Sequence, residues 1–278
     1  MNFLKDIKQE YLLGGIIQRL ILWNIIIFIF SIIFFYNFST GNFAFPKWLA
    51  LSNEPKIAFV YPWSFFSYSF LHAGILHLIF NLIILNFAGN IFLTFFSEKQ
   101  LLGVYLLGSF FSGICYIVTY SFILPKDNSL LVGASAGIVS LLFATTCYAP
   151  TMPIKLLLIG YVKIWHIALF ILLLDILQIG LGNTGGHIAH LAGAFFGFLY
   201  AFLIKRRIDI TIPIKKLLHL FNNTKSPRGK HPFKKVYKNN LSPQEKLNII
   251  LDKINQKGIN SLSSKEKDFL SKYHNQYQ

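Results

Sequence analysis

Six stretches of the chain are almost continuously apolar: Leu20–Tyr36, His72–Phe96, Leu101–Leu124, Gly133–Ala149, Ile164–Ile179 and His187–Ile204. Each comes near the ~20 residues that a helix needs to cross a ~30 Å hydrocarbon core. The pattern predicts an all-α, polytopic membrane protein with six transmembrane helices. Lys5, Lys8 and Arg19 precede the first span, as they would a signal peptide, but no small-x-small cleavage site follows it. It is therefore read as a retained span. No internal repeat of the transporter kind is visible.

The segments between and after the spans differ in kind. The Asn37–Leu71 connection is long, nearly uncharged and aromatic, with Phe43, Phe45, Trp48, Phe59, Tyr61, Trp63, Phe65 and Phe66. Such a loop belongs in the outer membrane interface, where Trp and Tyr are favoured. Asn222–Asn240 is rich in Lys, Asn and Pro and reads as a flexible linker. Beyond it, Ser242-Pro243-Gln244-Glu245 is a capping box, and Leu247, Ile250, Leu251 and Ile254 recur at helical spacing before Gly258. Ser263-Ser264-Lys265-Glu266 repeats the signal before Phe269-Leu270, which predicts two short amphipathic helices. The expected organisation is an N-terminal segment 1–19, a six-helix membrane domain 20–204, a basic linker 205–240 and a small helical tail 241–278.

Composition supports the membrane reading: 54% of residues are hydrophobic, 13% are charged and the mean hydropathy is +0.53. The net charge of +15 is concentrated after the last span. A basic tail can serve nucleic acid, but the positive-inside rule explains it as a cytoplasmic terminus, and no nucleic-acid partner is expected. Lys99, Lys155, Lys163 and Lys205-Arg206-Arg207 fall on the same side as Lys5, Lys8 and Arg19 if there are six crossings. Both termini are then cytoplasmic. The Phe-, Ile- and Lys-rich usage is compatible with a bacterial cytoplasmic membrane. Cys115 and Cys147 lie in apolar segments without metal-ligand spacing and read as small buried hydrophobes; no metal or cofactor is expected.

A few polar side chains interrupt the spans. Charged groups at membrane depth cost roughly 2.5–3.5 kcal/mol each on insertion scales, so such residues mark function. Ser135 opens the fourth span within Gly133-Ala134-Ser135-Ala136-Gly137. A helix N-terminus offers free N–H groups and partial positive charge, which suits a nucleophile and a developing oxyanion; small-residue runs also serve as packing surfaces. His190 shares a helical face with Ala194, Gly197 and Ala201, with Gly193 beside them. That stripe lets another helix approach and could bring an imidazole base to Ser135. His77 and Asn81, four apart, share a face and can donate to a negative oxygen, or else form an interhelical pair. His72 sits opposite on that helix and is expected to brace the long loop. His187 is a rival for the base. Asp175 is expected to be a helix-capping or interface residue, with nothing placing it against His190.

His72, His77 and Asn81 on span two, Gly133 and Ser135 on span four, and Ala189, His190, Gly193 and Gly197 on span six together resemble the rhomboid intramembrane serine proteases. Tyr61-Pro62-Trp63 and Val162-Lys163-Ile164-Trp165 add to the resemblance, which covers roughly Arg19 to Ile204 and not the tail. It implies a Ser135–His190 dyad, an oxyanion hole from His77, Asn81 and the Ser135 N–H, and a gate formed by span five and Gly180–Gly186. It also implies transmembrane proteins as substrates, within the lipid bilayer. Ala136, Val139 and Ser64 stand where the family usually has glycine, an aromatic that packs on the histidine, and arginine. Other readings of the same residues are a non-catalytic binder of membrane helices and a histidine-relay transporter. The tail is expected to dock a cytoplasmic partner or to regulate.

Overall fold

The computed structural model describes residues 14–124, 128–156, 160–221, 247, 250, 253–254 and 261–276. The chain divides into two compact units, Met1–His219 and Leu220–Gln278.

In the first unit the apolar stretches become helices α1 (Ile16–Phe35), α4 (Ile75–Leu93), α5 (Glu98–Phe122), α6 (Ser135–Tyr148), α7 (Ile164–Gln178) and α8 (Thr184–Lys205). Between α1 and α4 lie the short helices α2 (Pro55–Val60) and α3 (Ser64–Ser67) and a 3-10 turn, Tyr68–Phe70. Among the described residues four helices, α1, α4, α5 and α8, are long and apolar enough to cross a membrane. The other two, α6 and α7, have 14 and 15 residues, or about 21–22 Å at 1.5 Å per residue.

Burial explains how these helices sort. On α1 and α4, Ile29, Ile33, Phe34, Leu76, Phe80 and Ile83 stay exposed, as a lipid-facing surface requires. By contrast, α6 is buried nearly all round: Ala136, Ile138, Leu141, Leu142 and Ala144 face neighbours on several sides. Its polar residues, Ser140, Thr145 and Thr146, donate to the carbonyls of Ala136, Leu141 and Leu142 one turn back. Their hydroxyls are thus satisfied without water. Cys115 and Cys147 are half-buried free thiols, not the core positions their apolar surroundings suggested.

The aromatic connection is structured. Its first part is a two-residue antiparallel pair, Tyr36–Asn37 with Asn42–Phe43, and the Phe43 and Phe45 rings stack with centroids 5.1 Å apart. Trp63 Nε1 donates to the Trp48 carbonyl (2.6 Å). After α8, the stretch expected to be linker contains a further helix, α9 (Ile212–Phe221). Asp209 before it accepts from Gln100 Nε2 (3.1 Å) and pairs with Lys215.

In the second unit, α10 (Ser264–Gln276) starts where the capping pattern predicts. The Ser263 N–H and hydroxyl donate to Glu266 Oε2 (2.7 and 2.8 Å), and Lys253 Nζ reaches the same carboxylate. The first tail helix is described only at Leu247, Ile250 and Lys253–Ile254, which are helical; its capping box lies outside the described residues.

Candidate active site

Ser135 is the first residue of α6, and the chain entering it is tied on both sides. Leu130–Leu131 pair antiparallel with Leu51–Ser52, and Asn53 N–H donates to Ser129 O (3.2 Å). Gly133 has φ +129°, a conformation that would strain any side chain, and donates its N–H to Tyr68 O (3.0 Å). Tyr68 donates its hydroxyl to Ser109 O (2.7 Å), while Tyr105 donates back to Ser69 O (2.9 Å). Burial pushes the Tyr68 phenol's pKa upward, which keeps the proton on that donor. This bracing fixes the first turn of α6, where the backbone N–H groups have no helical partner.

His190 reaches Ser135 because α8 presses directly on α6. A Cβ on Gly193 would collide with the Ala136 carbonyl, and one on Gly197 would lie 2.8 Å from Ala144 N. With hydrogen in both places the backbones close up, and His190 Nε2 sits 2.6 Å from Ser135 Oγ. His187, the rival for the base, lies one turn earlier and points elsewhere: its Nδ1 is 2.8 Å from Asp175 Oδ1.

Asp175 corrects the sequence expectation. It does not cap its helix, and it does lie against His190: it is buried, with Oδ1 2.8 Å from His190 Nδ1 as well. The contact depends on the relative rotation of α7 and α8, which no local pattern encodes. The one available signal was an acid inside an otherwise apolar span. The ligand atoms of Asp175, His187 and His190 lie within 4.8 Å of one another, so this cluster is also where a cation would find nitrogen and oxygen donors. The 2.8 Å hydrogen bonds account for the spacing with protons in that place.

On α4, His77 accepts from Ala73 N–H at Nδ1 (3.4 Å), which leaves its proton on Nε2. That Nε2 is 3.0 Å from where a Cβ of residue 133 would stand, so the ring edge lies against the Gly133–Ser135 turn. Asn81 donates one amide proton to His77 O (2.8 Å) and has a second to offer. His72 departs from expectation. It precedes α4 instead of sitting on its far side, and its buried ring meets the His77 ring edge-on at 5.2 Å.

Two cavities flank the Ser135–His190 contact. One, of about 270 Å³, is lined by Tyr68, His77, Asn81, Gly133, Ser135 and His190. The other, of about 260 Å³ and mostly apolar, is bordered by Val139, Ile171, Leu174, Asp175, His187 and His190. Sequence reasoning missed Tyr68 and also Asn183, which borders the first cavity from a left-handed position (φ 49°) before α8. A hydroxyl, an imidazole and several N–H donors around one hollow can carry out acyl transfer.

Comparison with known proteins places this constellation. The family model described as Rhomboid domain matches residues 61–207, just over half of the chain. A second model, a family of unknown function (DUF6576), matches residues 235–276. Rhomboid-related protein 1 of Caenorhabditis elegans is 30% identical over 156 residues, covering 51% of this chain and 40% of the relative. The chain thus spans well under two thirds of that relative's length. The long apolar helices and the domain match together make the protein an integral membrane protein.

Proposed function

The chain belongs to the rhomboid family, and from that premise we propose that it is an intramembrane serine endopeptidase cutting transmembrane segments of other membrane proteins. The observation that carries this reading is the 2.6 Å contact between Ser135 Oγ and His190 Nε2, made between two apolar helices and bordered by cavities. A packing role needs neither a hydroxyl nor an imidazole there.

In the proposed reaction Ser135 Oγ attacks the scissile carbonyl carbon while His190 Nε2 takes the hydroxyl proton. The carbonyl oxygen becomes an oxyanion, which accepts from His77 Nε2–H, the second Asn81 amide proton and the Ser135 N–H. The C–N bond then breaks, and His190 returns the proton to the leaving amine. Water, activated by the same imidazole, releases the acyl group from Ser135.

The membrane arrangement we propose has six crossings: α1, α4, α5, α6, α7 and α8. At about 21 Å, α6 falls short of a ~30 Å hydrocarbon core, so a crossing helix of this length leaves Ser135 recessed below one surface. The basic residues at 99, 155, 163 and 205–207 favour cytoplasmic termini, a recess opening outward and a bacterial cytoplasmic membrane. Substrate would enter beside α7.

The test is incubation of the purified protein with a transmembrane reporter, alongside a serine-directed fluorophosphonate. Wild type should cleave and be labelled, while Ser135→Ala and His190→Ala should do neither yet remain folded. A folded wild type that neither cleaves nor labels would instead be a non-catalytic binder of membrane helices.

A further inference from the structure

A buried carboxylate shared by two histidines is more than the two-residue mechanism requires. Asp175 comes from α7, whereas His187 and His190 stand three residues apart on one face of α8. Both imidazoles turn the same nitrogen, Nδ1, toward the same oxygen, Oδ1, at 2.8 Å. We propose that Asp175 is the positioning residue for the base, fixing the tautomer and the orientation of His190, and that His187 holds Asp175 in place for that task. This role rests on the serine-protease reading of Ser135 and His190.

The chemistry follows from donor counting. An ionised carboxylate only accepts, so each Nδ1 must carry its proton. A neutral imidazole protonated at Nδ1 has its lone pair at Nε2, and in His190 that lone pair faces Ser135 Oγ at 2.6 Å. The other tautomer would put an N–H against the serine hydroxyl and could not take its proton. When His190 does take it, the imidazolium forms with a carboxylate already in contact at Nδ1. His187 supplies a second donor to Oδ1, so that the buried carboxylate is not left with a single partner.

Packing shows why such a device is needed here. Val139, one turn after Ser135 on α6, borders the 260 Å³ apolar cavity that also touches His190, Asp175 and His187. A branched three-carbon side chain puts no ring from α6 against the imidazole, whose described ring neighbour is His187, edge-on at 6.0 Å. The carboxylate fixes His190 from the α7 side instead.

The experiment is Asp175→Asn, assayed for kcat and KM on the transmembrane reporter. It is paired with ¹⁵N NMR of histidine-labelled protein in the Ser135→Ala background. An amide can turn its NH2 toward Nδ1 and force the proton onto Nε2. The expected result is a fall in kcat of about 10²–10⁴-fold with KM little changed. The Nδ1–H signature of His190 should be present with Asp175 and lost with Asn. Near-wild-type kcat in Asp175→Asn, or a loss confined to KM, overturns the role while leaving the protease reading intact. A wild type that cleaves nothing removes both. If Asp175→Asn does not fold, the spectrum with Asp175 still decides, since a proton on Nε2 of His190 contradicts the proposal. Loss of wild-type activity in EDTA would mean that the cluster holds a metal, and would overturn it equally.

Discussion

At the scale of single residues, the site is a set of polar atoms that would be a burden anywhere else in the membrane. Asn81 is the sharpest example: it is buried, and its Oδ1 has no hydrogen-bond partner among the described residues, while Nδ2 donates one proton to its own helix. In the proposed reaction its remaining proton gains a partner when an oxyanion forms beside Ser135. Asn81→Ala should therefore lower kcat by about 10²–10³-fold, equivalent to ~2.7–4 kcal/mol, with KM nearly unchanged. A larger change in KM than in kcat would mean that Asn81 organises substrate binding instead. The residues involved in this argument were legible because polar groups stand out in apolar runs: Ser135, His190, His77 and Asn81 could each be picked out singly. Partnership was less legible. Asp175 stood out equally, yet its bonds to His187 and His190 depend on how α7 is rotated against α8, and that rotation is set by packing across the whole interface. His72 was misplaced for a simpler reason: Gly74 and the turn before it delay α4 to Ile75, so the helical face assumed for residue 72 does not exist.

At the scale of elements, glycine sets the distance between α6 and α8. Gly197→Ala would drive a methyl toward Ser140 O and Ala144 N, backbone atoms that cannot rotate away. Overpacking of this kind costs about 1–3 kcal/mol, so the unfolding midpoint in detergent should fall. Gly180→Ala, where a Cβ meets nothing within 4 Å, should leave it unchanged. Equal effects at the two positions would show that helix approach is not what Gly197 provides. Helix boundaries were legible to within a few residues, since apolar runs end at caps such as the Ser97–Gln100 box before α5. Helix α9 was not, because Lys215 and Lys216 lie in a stretch whose charge density reads as linker. In the tail, hydrogen bonds from Lys253 and from the Ser263 N–H and hydroxyl hold the Glu266 carboxyl down to about 2 from its ordinary 4.5. A depressed acid stabilises the fold fully above the unfolded value, and that contribution is lost as pH falls through the folded one. The Ser263 amide resonance should accordingly titrate near pH 2 and not near 4.5, and Lys253→Ala should move the transition up.

At the scale of the whole molecule, the question is where the membrane body ends. The rhomboid match stops at residue 207 and the apolar pattern at Ile204, which suggests a cut directly after Arg207. The structure argues for a later one. Thr211 is fully buried, and a Cβ on Gly103 of α5 would strike it. Asp209 binds Gln100 at the start of α5, its own Thr211 and Lys215. Although burial works against the charge, these hydrogen bonds hold the Asp209 carboxyl below its ordinary value, so the clasp is ionised at neutral pH. Residues 208–219 thus belong to the first unit, as the division at His219 also indicates. A chain ending after Phe221 should insert and cleave a generic transmembrane reporter much as the full chain does, having lost only the second unit, which contributes none of the residues proposed to react. A chain ending after Arg207 should insert but unfold more readily in detergent, because the N-terminal turn of α5 loses its partner. Compared side by side, the two truncations separate the contribution of the 208–221 clasp from that of the second unit. If the longer one is folded and inserted yet cleaves nothing, the tail is part of the catalytic machine and the two-unit division does not describe how this protein works.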